Sequence, residues 1–211
     1  AKVVNRLLLE GAGEFEASKF KDKLAMTGAN LYADSLREMA FISLRTLKGE
    51  EYYSESLDLL TLAVTKPQFN DSEMKRVVEE MLLEITLKEQ SLGAVADDSL
   101  WGSIYKDHPY GNPPLGNKES LESLQQEDIL AFFSTYYVAR NAVISIVGDL
   151  EKAEAIELSE NLSENMPQGK LPSPIPDVTI PRGLTTIVDK QSKQTHIRLG
   201  QVGISRKEPD Y

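Results

Sequence analysis

Two histidines, His108 and His196, and a complete lack of cysteine limit the chemistry open to this chain. Without thiols there is no thiolate zinc site, no disulfide and no cysteine nucleophile. A zinc site needs about three protein ligands converging at roughly 2 Å. Neither histidine has a second histidine or a carboxylate at helical spacing. His108, between Asp107 and Pro109, reads as a packing residue in a turn, and His196 as a surface residue on a strand. A serine nucleophile needs a base and an orienting acid, and no G-x-S-x-G elbow occurs. Gly11-Ala12-Gly13 follows a helical pattern and so cannot present a helix N-terminus to phosphate. Glu79-Glu80 and Asp97-Asp98 are sequence neighbours that face different ways on a helix. Glu84 stands among Met81, Leu82, Leu83, Ile85 and Leu87, either as a surface position or as a partly buried acid; periodicity favours the surface.

The elements that would position these residues follow from hydrophobic spacing. Val3, Val4, Leu7 and Leu8 recur at helical intervals, with Gly11 closing the run. A second helix is expected over 17–26, with Phe20 and Leu24 inward and Gly28 just beyond its end. The period then falls to two. Strands are expected over 29–34 and 39–47, joined by a turn at Ser35-Leu36-Arg37-Glu38. Helices follow over 54–64, stopped by Pro67, and over 71–90, with Asn70 as N-cap and Glu73 as its reciprocal partner. Another runs from about Gly93 to Tyr105. Residues 107–116 are turn chemistry, and helices resume over 118–124 and 127–138. The near-continuous apolar run 142–147 predicts a buried strand, Gly148-Asp149 ends it, and a helix extends to about Asn165. Residues 167–183 hold five prolines and little periodicity, which predicts a linker. Strands are expected again over 185–189 and 195–204. The pattern is α+β: a domain over 1–166, a linker over 167–183, and the opening strands of a second domain over 184–211.

Of 211 residues, 23 are basic and 33 acidic, a net charge of −10. Residues 51–150 carry 7 Lys/Arg against 17 Asp/Glu and so hold the whole imbalance. An acidic middle excludes nucleic acid as the main partner, since phosphate binding needs clustered cations. No apolar run approaches the roughly 20 residues of a membrane-spanning helix. Ala1 opens directly into a helical pattern, as a piece of a longer chain would.

Several stretches together resemble the pitrilysin/insulinase family of inverted-zincin metallopeptidases, which includes the mitochondrial processing peptidase subunits. They are Leu7-Leu8-Leu9-Glu10-Gly11-Ala12-Gly13; Gly28-Ala29-Asn30-Leu31-Tyr32-Ala33 with Met39-Ala40-Phe41-Ile42; Asp107-His108-Pro109-Tyr110-Gly111 with Leu115-Gly116; and Glu127-Asp128-Ile129-Leu130-Ala131-Phe132, Tyr136-Tyr137, Asn141-Ala142-Val143 and Val147-Gly148-Asp149. Gln194 and Gly203-Ile204-Ser205-Arg206 through Pro209-Asp210-Tyr211 look like the start of a second homologous domain. Order and spacing hold over nearly all of the chain. The resemblance implies an antiparallel sheet backed by helices, duplicated in the full-length family, with the first strand of the first domain upstream of Ala1.

Active members carry H-x-x-E-H on the helix ahead of the Leu-Leu-x-Gly stretch. The two histidines bind zinc, and the glutamate is general base on the metal-bound water. Here that slot reads Lys2-Val3-Val4-Asn5-Arg6. Two cations stand at the ligand positions and an amide at the base. The third ligand position aligns with Glu84, or with Glu80 one turn away. The resemblance therefore implies no catalytic residue and no metal in this chain, while active relatives hold zinc. It implies a non-catalytic subunit that forms part of a peptide chamber and pairs with a homologous zinc-bearing peptidase subunit. The edge strand that takes up peptide in the family matches Leu31, Tyr32, Ala33 and Asp34, which could bind polypeptide by main-chain pairing without zinc. The rival reading is a peptide- or protein-binding scaffold with no associated peptidase. A third is an active zinc endopeptidase with its metal motif elsewhere. An exported or periplasmic bacterial location is expected, a cytoplasmic one being the alternative.

Overall fold

A computed structural model describes residues 1–180, 182–205 and 208–210. Arg206 and Tyr211 of the last motif, and Pro181 of the linker, lie outside them. The chain forms two units, Ala1–Glu80 with Glu122–Ser173, and Met81–Leu121 with Pro174–Tyr211.

The first unit opens with helix α1 (Lys2–Leu7), whose Val3, Val4 and Leu7 are buried. A two-residue antiparallel pair, β1 (Gly11–Ala12) with β2 (Phe15–Glu16), leads into α2 (Ala17–Met26). Gly11 has φ +109°, and an added Cβ would lie 3.0 Å from the Phe15 carbonyl, so this turn needs glycine. Helix α2 buries Phe20 completely and ends where Gly28, at φ +66°, turns left-handed and donates to the Ala25 carbonyl. Strands β3 (Asn30–Ser35) and β4 (Ala40–Arg45) form an antiparallel hairpin in the register Asn30↔Arg45 to Ser35↔Ala40. The period of two is visible in β3: Leu31, Ala33 and Ser35 are buried and Asn30 and Tyr32 exposed.

Helix α3 (Glu50–Thr65) starts four residues earlier than its apolar pattern suggests, at an extended Gly49. Its Leu59 and Ala63 join Ala12, Phe20 and Leu31 in one core cluster. Helix α4 (Asp71–Gln90) carries Met74, Val77, Met81 and Ile85 on a buried face and passes from the first unit into the second. The expected box at its start is differently partnered: the Asn70 amide donates to Gln68 Oε1 at 3.0 Å, and Glu73 pairs with Arg76. Glu10 accepts from both Lys21 and Arg76 at 2.6 Å, which ties the end of α1 to α2 and α4. Arg76 also reaches Glu73 and Glu80, and these carboxylates, Glu10 foremost, raise its pKa. Helix α5 (Leu92–Tyr105) and α6 (Lys118–Glu122) up to Leu121 belong to the second unit. Helices α7 (Gln126–Tyr136), with Ile129 buried, and α8 (Lys152–Asn165) return to the first.

The α+β architecture, antiparallel strands with helices packed on them, matches expectation. Three expected strands do not form. Residues 142–147 carry no ladder, and Val143 and Val147 are 93% and 98% exposed. Residues 185–189 and 195–204 are likewise unpaired, with Ile187 and Leu199 exposed. An apolar run signals a strand's need for neighbours, and no neighbouring strand exists among the described residues to satisfy it. Among these residues no helix is long and apolar enough to cross a membrane.

Ser35 Oγ is buried without a hydrogen-bond partner. A buried orphan hydroxyl costs about 1–3 kcal/mol. Ser35→Ala is therefore expected to leave stability unchanged or raise it by about 1 kcal/mol, read as an unchanged or higher urea midpoint; a clear loss would show an unseen partner.

Candidate functional site

Lys2, Asn5 and Arg6, the expected place of the family's metal motif, lie on α1 in the first unit. Val3, Val4 and Leu7 fix the helix by burial, which turns Asn5 inward until it is fully buried. The Asn5 Nδ2 donates to the Asp34 carbonyl oxygen and, at 3.2 Å, to that of Phe41, which is Asp34's partner across the hairpin. The Asn5 Oδ1 accepts from the Tyr137 hydroxyl at 2.8 Å, just beyond α7. One side chain thus joins a helix, both strands of a hairpin and the residue that closes another helix. Burial raises the Tyr137 phenol pKa, so the hydroxyl stays a donor.

Lys2, one turn before Asn5, places its ammonium 2.9 Å from Asp34 Oδ1. The same oxygen accepts from the Ser35 N–H at 2.7 Å, and Oδ2 faces the Tyr32 hydroxyl at 3.3 Å. The Lys2 hydrogen bond, then that of Ser35, holds the Asp34 carboxyl below its ordinary value against a small burial penalty. Arg6 is half-buried in the last turn of α1, where a cation meets the negative end of the helix dipole.

This donor set does not fit zinc. Ammonium and guanidinium groups offer no lone pair, and the Asn5 amide is neither basic nor unoccupied. Among the described residues no group of three or more His, Asp or Glu could hold a metal ion. Glu84 is half-buried on the part of α4 that belongs to the second unit. Glu80 is exposed and bound to Arg76 Nη1 at 2.6 Å.

The residues expected to take up peptide sit on β3. Leu31 and Ala33 are buried, and Tyr32 is half exposed beside Phe41, ring centroids 5.8 Å apart. Strand β3 pairs with β4 on one edge, and no strand pairs with its other edge among the described residues. Reading the sequence named Lys2, Asn5, Arg6 and Asp34 but gave Tyr137 no role. The signal was available: a buried amide must find partners, and Tyr137 is a polar aromatic next to buried Val138.

Asn5→Leu removes a side-chain donor from two hairpin carbonyls and leaves the Tyr137 phenol without its acceptor, and should lower stability by about 2–4 kcal/mol, read from urea unfolding of the intact chain. Tyr137→Phe should cost about 1 kcal/mol, and adding it to Asn5→Leu should cost less than the sum. Strictly additive losses would show that the two groups do not interact. The native carboxyl of Asp34 is depressed, so its ion pair contributes fully above the unfolded-state value near 3.9. That contribution is lost as pH falls through the lower native value. In an NMR titration the Asp34 carboxyl should titrate below 3.9 and move up in Lys2→Met; an unmoved midpoint would remove Lys2 as the cause.

Residues 1–118 match the family model described as Insulinase (Peptidase family M16), and residues 123–211 match the Peptidase M16 inactive domain. The chain is 28% identical over 170 residues to the non-peptidase homolog YmxG of Helicobacter pylori, a match covering 81% of this chain and 39% of that protein. It is 25% identical over its whole length to a probable mitochondrial-processing peptidase subunit beta of Schizosaccharomyces pombe, 47% of which is covered. A crystal structure of a peptidase M16 inactive domain from Pseudomonas fluorescens superposes with a TM-score of 0.82 at 27% identity, covering 85% of this chain and 44% of that one. The chain spans less than half the length of these relatives. It belongs to the insulinase family, peptidase family M16.

Proposed function

We propose that this chain is part of a non-catalytic homologue of a zinc peptidase, one that contributes to a peptide-binding chamber and pairs with an active, H-x-x-E-H-bearing subunit. The observation that carries the reading is the state of Asn5. The residue in the general-base position is sealed from water, and both ends of its amide are engaged by backbone carbonyls and a phenol. A group so placed holds the scaffold together and activates no water. Lys2, in a ligand position, is the counter-ion of Asp34. The names of the relatives point the same way: one is a non-peptidase homolog, another a subunit.

The chamber role rests on β3. Extended backbone with an unpaired edge takes up a peptide by main-chain hydrogen bonds, and this needs no metal. Leu31, Tyr32, Ala33 and Asp34 are the residues proposed to pair with it. Because the edge works without zinc, a peptide- or protein-binding scaffold with no associated peptidase is the second reading.

The test is made on the intact parent protein, alone and mixed with a relative that carries the zinc motif. The expected result is substoichiometric zinc and no peptide cleavage alone, with cleavage by the mixture exceeding that of the relative by itself. One zinc per chain together with cleavage by the isolated protein would overturn the non-catalytic reading. Peptide binding with no effect on the relative would replace the pairing with the scaffold.

A further inference from the structure

The second unit holds the motif Asp107-His108-Pro109-Tyr110-Gly111. Helix α5 ends at Tyr105; Lys106 follows with φ +39°, and residues 109–111 make a 3₁₀ turn. Gly111 permits this turn, since a Cβ there would lie 2.6 Å from the Lys106 carbonyl. His108 sits at the head of the turn. Its N–H donates to the Tyr105 carbonyl at 2.7 Å, and its own carbonyl accepts from Gly111 at 2.8 Å. The ring lies edge-on to Tyr110, 4.6 Å between centroids, with Tyr105 at 6.0 Å.

Both ring nitrogens are engaged. Nδ1 is 3.1 Å from the backbone N–H of Tyr110, and Nε2 is 2.8 Å from the carbonyl oxygen of Pro176. A backbone N–H can only donate and a carbonyl can only accept. Nδ1 therefore presents its lone pair, Nε2 carries the proton, and the ring is neutral. Its partner segment carries prolines at 172, 174 and 176, which lack the N–H groups that would offer other backbone tethers.

We propose that His108 is a proton-operated latch that fastens the proline-rich segment at Pro176 to the end of α5 and lets it go on acidification. A proton added at Nδ1 sets two donors head to head, Nδ1–H against the Tyr110 N–H. The ring must then turn, and turning carries Nε2 away from Pro176. The ionisable groups on the elements around the ring are Tyr105 on α5, Lys106 and Asp107 on its own loop, Tyr110 in the 3₁₀ turn and Asp177 after Pro176.

The test is NMR on the full chain. Long-range nitrogen–proton spectra should show His108 protonated at Nε2 and not at Nδ1 near neutral pH. As pH falls from 8 to 5, the amide signals of Ile175 and Asp177 should shift with the midpoint of the His108 ring. His196→Gln is the control variant and should leave that shift in place. In His108→Gln, which keeps a donor for Pro176 but takes up no proton, that pH-dependent shift should be lost. An Nδ1–H tautomer, or Ile175 and Asp177 signals that stay fixed while the His108 ring titrates, would overturn the latch. This wild-type measurement decides the matter even if the variant fails to fold.

Discussion

A primary amide sealed from water must place two N–H groups and a carbonyl, and leaving any of them unmet is costly. Asn5 places them on three elements at once: the Asp34 and Phe41 carbonyls across the hairpin and the Tyr137 hydroxyl beyond α7. The arrangement constrains everything near it. Helix α1 cannot rotate without breaking the hairpin contacts. The hairpin cannot slip by one residue, because Asp34 and Phe41 would no longer face each other. At Asn5 a polar side chain serves cohesion.

Charge follows the same logic. A half-buried cation such as Lys2 would be a liability if it stood alone. Lys2 is instead matched to Asp34 at 2.9 Å, and Asp34 is itself set by the neighbouring Ser35 N–H. The carboxylate that neutralises Lys2 thus lies on the strand proposed to receive peptide. Just beyond α1, Glu10 gathers Lys21 and Arg76, so the segment from Lys2 to Glu10 is held by ion pairs at both ends and by an amide within the helix.

Local patterns made much of this legible from sequence. The 3.6-residue spacing around Phe20, with Gly28 behind it, gave α2 its observed limits, and the shift to period two gave β3 and β4. That Lys2 and Arg6 offer zinc no lone pair followed from their chemistry alone. Pairings across long separations were not legible. Asn5 and Tyr137 lie 132 positions apart, and spacing says nothing about such a contact. The runs at 142–147, 185–189 and 195–204 failed as strands for a related reason. Their composition records a demand for partners, and composition alone does not say whether the partners are present.

The bare Val143 and Val147 have a bearing on how molecules of this chain behave toward one another. Apolar, exposed and without a ladder, such a stretch favours contact between copies. What opposes contact is mutual repulsion from ten excess negative charges, which fades as pH approaches the isoelectric point near 4.8. Colloidal behaviour in solution is therefore governed by the distance between buffer pH and 4.8, and by how far added salt shortens the reach of that repulsion.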